Sequence, residues 1–130
     1  MAAFGCLAAC GSAPPDVSTP APSPEPIGPG ARVLLAYFSR AGENYYYGDR
    51  TYLQVGNTEV LAGMISSQIA CDVHRIEAAE PYSDDYEATV ARNVREQQAD
   101  PRPPIANPLP DVGSYDVVLL GSGLWNVRPP

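Results

Sequence analysis

Residues 33–42 read "VLLAYFSRAG", and their pattern sets the fold class. Arg32 to Phe38 form a near-continuous apolar run that reads as apolar on both faces, bounded by Pro29-Gly30 before it and Ser39 after it. A strand without polar alternation is covered on both sides, as in a parallel sheet between two helix layers. A Ser-Arg-Ala-Gly turn after such a strand ordinarily leads straight into a helix. Here residues 43 to 55 intervene, polar and aromatic by turns. Tyr45-Tyr46-Tyr47, a Gly48-Asp49 turn and Thr51-Tyr52-Leu53-Gln54-Val55 predict a small hairpin. The helix is postponed to Gly56-Asn57-Thr58-Glu59, where Asn57 or Thr58 is expected to cap the first free N–H groups and Glu59 suits the positive end of the dipole.

Downstream, Val60, Leu61, Met64, Ile65 and Ile69 recur at helical spacing and are expected to form a core-facing stripe. Asp72 to Glu77 alternates apolar and polar and reads as a second strand at a sheet edge. Ser83-Asp84-Asp85 is an N-cap signal with acids in the first turn. The helix it opens carries Tyr86, Val90 and Val94 as a narrow stripe and stops before Pro101. Pro103, Pro104, Pro108 and Pro110 predict an extended connection pinned by Ile105 and Leu109. Tyr115 to Gly121 is a third strand, apolar on both faces, and Ser122 to Asn126 is its exit loop. Strand, helix, strand, helix, strand implies right-handed crossovers and a doubly wound, three-layer α/β sheet.

The 130 residues allow one folded domain. Residues 1–12 form a signal-like segment, 13–30 a Pro-rich linker and 31–130 the folding part. A net charge of −7 disfavours nucleic acid and anionic lipid surfaces as partners; the acidity is expected to serve solubility, the other reading being that an acidic face steers a basic redox partner. Cys6, Cys10 and Cys71 form no CxxC pair, which argues against a zinc site. Leu7-Ala8-Ala9-Cys10-Gly11 resembles a bacterial lipoprotein cleavage box, so Cys10 is a candidate for lipidation and for extracytoplasmic anchoring at the cell membrane. Met1 to Cys6 carries no Lys or Arg, which leaves the cytoplasm as the alternative location.

In an open α/β sheet, ligands sit beyond the carboxyl ends of the strands. Two loops fall there. Ser39-Arg40-Ala41-Gly42 with Asn57-Thr58 combines hydroxyls, flexible backbone and a helix N-terminus, a phosphate-binding chemistry. Ser122-Gly123-Leu124-Trp125-Asn126 sets an indole beside backbone amides, which suits a stacked ring. Together they describe a mononucleotide. Taken alone, Ser39 is also an ordinary strand end, Asn57-Thr58 an ordinary cap and Trp125 an ordinary core anchor. The chain carries neither a Walker pattern nor GxGxxG. His74 reads as an edge-strand histidine, Asp84-Asp85 as a helix first turn and Cys71 as a small buried hydrophobe; Tyr45, Tyr46 and Tyr47 are expected to pack under the insertion, the other reading being that they line a substrate cleft, with Tyr46 or Tyr47 near the cofactor. No nucleophile–base pair is visible to support hydrolytic chemistry.

The stretches "VLLAYFSRAGEN", "VGNTEVLAGMI", "PYSDDYEATVARNVREQ", "RPPI" and "YDVVLLGSGLWNVRPP" resemble a bacterial flavodoxin-like domain whose phosphate loop is split by a Tyr-rich insertion. The resemblance covers nearly all of residues 32–130. It implies a flavodoxin fold that holds flavin mononucleotide (FMN) noncovalently. Ser39, Arg40, Ala41, Asn57 and Thr58 would hold the phosphate, and Gly121 to Asn126 would border the ring with Trp125 against it. It implies electron transfer or flavin-dependent reduction, with a redox protein or a small-molecule acceptor as partner. Against the family's five strands this chain supplies three, and Gly123 stands where relatives often have proline. A truncated product that binds no cofactor, or a non-redox surface lipoprotein, is the alternative expectation.

Overall fold

The computed structural model describes residues 27–99 and 102–125. Cys10, most of the Pro-rich linker and Asn126 lie outside those residues. The elements run β1 (Val33–Phe38), β2 (Gly42–Tyr46), β3 (Asp49–Leu53), α1 (Asn57–Ser66), β4 (Asp72–Ile76), α2 (Tyr86–Ala99) and β5 (Val117–Gly121). The main sheet has the order β4-β1-β5, all parallel, and β2-β3 is a separate antiparallel pair. The apolar run at 33–38 is therefore the central strand. Val33, Leu34, Leu35, Ala36 and Tyr37 are all buried, as a strand paired on both sides and covered on both faces requires. The expected α/β order and the split between strand and helix are both present, and the fold is a partial flavodoxin-like one.

One face of the sheet packs on α1. Leu35 and Tyr37 meet Ala62, with Ile65, Cys71 and Leu119 partly buried against them. This corrects the expected stripe, because Val60, Leu61 and Met64 are more than half exposed. The helix is turned so that Ala62 faces the sheet, and two contacts at its start fix that rotation. Gly56 lies against Ser39 and the Arg40 carbonyl, and the Glu59 amide donates to Ser39 Oγ at 3.1 Å. A small side chain at 62 then lets the helix axis approach closely.

The hairpin turns at Tyr47-Gly48, one residue earlier than the Gly48-Asp49 turn expected, with φ of +46° and +94°. Positive φ at both turn residues matches the right-handed strand twist. The expected packing of the tyrosines is overturned: Tyr45, Tyr46 and Tyr47 are all exposed. The connection before β5 also differs from its expected pins. Leu109 is 62 % exposed. Asn107 does the holding instead, donating from Nδ2 to the Arg75 carbonyl at 2.7 Å and accepting from the Glu77 amide at 3.3 Å. Ile105 forms an isolated bridge with Ala78.

Candidate functional site

The α1 N-terminus and the end of β1 are adjacent despite the hairpin between them in sequence. Neither Asn57 nor Thr58 caps α1, as the sequence reading expected. The N-cap is Gly56, which has no side chain to offer, and Ser39 supplies the missing acceptor from the neighbouring strand. A Cβ on Gly56 would lie 2.2 Å from Ser39 Oγ and 2.5 Å from the Arg40 carbonyl oxygen, so glycine alone permits this approach. The amides of Asn57 and Thr58 precede the first intrahelical donors, Glu59 and Val60, and carry the positive end of the helix dipole. Gly121 completes the junction: a Cβ there would sit 3.3 Å from Thr58 Cγ2 and 3.2 Å from Tyr37 Cβ. The end of β5 thus passes directly beside the start of α1.

The hairpin is anchored to the start of α2. Gly42, at φ +84°, leaves no room for a side chain, since a Cβ would be 2.7 Å from Asp84 Cα. The Glu43 amide donates to the Asp84 carbonyl at 2.8 Å, and Glu43 Oε2 accepts from the Tyr86 amide at 3.3 Å. Asp85 caps α2 itself by accepting from the Ala88 amide at 2.7 Å. Arg40 ties the two pieces together by donating to the carbonyls of Ser83, Asp84 and Glu43. Burial lowers its pKa, an effect opposed by Asp84 and Glu43. Its guanidinium is thus a strut of the loop. Arg50 adds an ion pair with Glu87 and lies 4.3 Å over the Tyr86 ring.

Between these pieces is a cleft of about 490 Å³, within the size range of small-ligand sites. Ser39, Arg40, Asn57 and Thr58 line it together with Gly123, Leu124 and Trp125. Those seven sequence candidates are brought together. Ala41, Gly121 and Ser122 are not on the lining, although Gly121 shapes it, and Asn126 is outside the described residues. A further wall is built by Asn44 and Tyr45 of the hairpin and by Tyr86, Thr89, Val90 and Asn93 of α2; of these the sequence reading weighed only Tyr45 as a cleft residue, beside the packing role it preferred. The available signal was the Tyr86, Val90, Val94 stripe, which borders the cleft.

Trp125 belongs to an aromatic cluster. Its ring meets Phe38 at 5.5 Å and Tyr82 at 4.9 Å, both edge to face. Arg92 lies 3.8 Å over the Tyr82 ring and pairs with Glu96 at 2.7 Å, while the Tyr82 hydroxyl donates to Glu96 at 2.8 Å. Burial, and then the Glu96 hydrogen bond, push the Tyr82 phenol up to about 12. The indole is thus held in place from behind. Among the described residues no group of three or more His, Cys, Asp or Glu gathers into a metal site. Among them, too, no helix is long and apolar enough to cross a membrane.

No family model and no curated protein matches the chain. Among solved structures it is similar to a flavoprotein from Lactobacillus acidophilus NCFM in complex with FMN. The TM-score is 0.57 at 22% identity, over 76% of this chain and 59% of that one. The match therefore spans somewhat over half of that protein's length, and at this identity it bears on the fold: a mixed α/β chain with a three-stranded parallel sheet.

Proposed function

We propose that the cleft binds FMN noncovalently and that the protein works in electron transfer or as a flavin-dependent reductase. The observation that carries this reading is the meeting of Ser39 with the α1 N-terminus in a cleft that Trp125 also lines. The Asn57 and Thr58 amides and the Thr58 hydroxyl would hold the phosphate, where hydrogen bonds and the helix dipole favour negative charge. Gly123 to Trp125 would border the ring, with the indole supplying an apolar flank. The cleft volume and the donor chemistry at the α1 N-terminus fit such a ligand. FMN, when bound, supplies the electron-transfer chemistry. This chain's residues bind it, orient it and set the polarity around it. The similar flavoprotein was solved in complex with FMN, which supports the same choice.

The test is retention. The protein is mixed with excess FMN, dialysed, and examined for bound yellow absorbance with quenched flavin fluorescence. Stoichiometric retention is expected, and colourless protein after saturation would overturn the reading.

A further inference from the structure

α2 turns an unusual face inward: its buried residues are Thr89 and Asn93, 6 % and 5 % exposed. A buried polar side chain is expected to have its hydrogen bonds made. Thr89 does, donating from Oγ1 to the Ser83 carbonyl at 2.9 Å. Asn93 is satisfied on one side only. Its Oδ1 accepts from Gln97 Nε2 at 3.0 Å, while its Nδ2 makes no hydrogen bond among the described residues. The orientation follows from chemistry. Gln97 Nε2 also lies 3.2 Å from the Trp125 carbonyl, which can only accept. Gln97 therefore presents its nitrogen, and Asn93 must present its oxygen to Gln97. The Asn93 NH₂ group is left for the cleft, which Asn93 lines beside Val90 and Trp125.

We infer that Asn93 is a specificity-determining residue that donates to a carbonyl or ring-nitrogen acceptor on the ring of the bound ligand. The inference rests on the flavin reading of the cleft. Gln97 links Asn93 to Trp125, which associates the free donor with the loop proposed to border the ring. Of the residues that line the cleft with it, Val90, Val94 and Trp125 are apolar, and the Thr89 hydroxyl is already committed to the Ser83 carbonyl. A lone amide donor among apolar walls favours a planar ring with acceptors on its edge, because a ligand lacking them would leave that donor buried and unpaired. The rival role is structural: Asn93 would serve only to hold α2 to the Trp125 loop through Gln97.

The two roles separate by experiment on the full chain. Asn93→Asp keeps the acceptor that Gln97 uses and removes the donor. The buried carboxylate is expected to lower its melting temperature, so Asn93→Leu is measured beside it, and both are expected to bind FMN roughly tenfold more weakly, with a penalty also seen for riboflavin, which lacks the phosphate. Thr58→Val is expected to weaken FMN and leave riboflavin unchanged. In the wild-type chain, the side-chain NH₂ resonances of Asn93 are expected to shift when riboflavin is added, a readout that needs no variant. Unshifted resonances, unchanged affinity in Asn93→Asp, or a penalty confined to FMN would each overturn the role of Asn93 while leaving the flavin site standing. Absence of any flavin binding by the wild type would overturn both.

Discussion

Gly56 is the residue on which the two halves of the cleft depend. It occupies the N-cap of α1, where a side-chain oxygen is usual, and its bareness admits Ser39 and Arg40 from the turn that follows β1. Gly56→Ala is expected to destabilise the fold by about 1–3 kcal/mol, because the new methyl meets the Arg40 backbone as well as a hydroxyl. Chemical denaturation measures this, and a variant as stable as wild type would show that the approach is not tight. Tyr82 gives a prediction in pH. Its folded-state pKa, about 12 against the ordinary 10.0, means that the folded protein holds the phenol proton more tightly than the unfolded chain. The associated stability is full below pH 10 and is lost as pH climbs through 12. Tyr82→Phe is expected to flatten the stability profile in that window, as melting between the two pH values would show. At this scale the sequence was legible where chemistry is local. Ser39, Asn57, Thr58 and Trp125 could be picked out because strand ends and helix starts have recognisable neighbours. Asn93 could not, since nothing in "ATVARNVREQ" says which helix face meets the cleft.

Among the elements, the hairpin shows both what a sequence discloses and what it conceals. Two β-prone runs around a glycine are a local signal, and the hairpin is there. Where it docks depends on contacts with residues some forty positions away: Gly42 and Glu43 with Asp84, and Arg50 with Glu87. Those contacts make the insertion a wall of the cleft, which local patterning cannot express. The turn also stores strain. Tyr47 holds φ at +46° with its ring 92 % exposed, so little packing compensates a left-handed conformation in a bulky residue. Tyr47→Gly or Tyr47→Asn is expected to raise stability by about 0.5–1 kcal/mol. An unchanged or lower melting temperature would mean that the Tyr46–Tyr47 ring contact outweighs the strain. α1 illustrates the opposite failure: helical periodicity was plain, but the rotation was set by Gly56 and Ser39 and not by the apolar stripe.

Across the whole molecule, the chain's alternation of strands and helices builds a parallel sheet of order β4-β1-β5, with β1 at its centre. Among the described residues β5 pairs only with β1, and Val118 and Leu120 on it are 46 % and 72 % exposed. Exposed, apolar strand edges template pairing with other chains. Leu120→Lys is therefore expected to reduce concentration-dependent self-association in sedimentation velocity without lowering the melting temperature, and an unaltered profile would refute the edge as its source. The flavin reading also belongs to this scale, since it needs β1, α1, β5 and α2 in one arrangement. The measurement that tests it most directly is the response of backbone amide resonances to FMN. The account predicts that the Asn57 and Thr58 amides move strongly with FMN and much less with riboflavin, as a phosphate seated on the start of α1 requires. Binding that leaves those two amides undisturbed, or no binding at all, would contradict it.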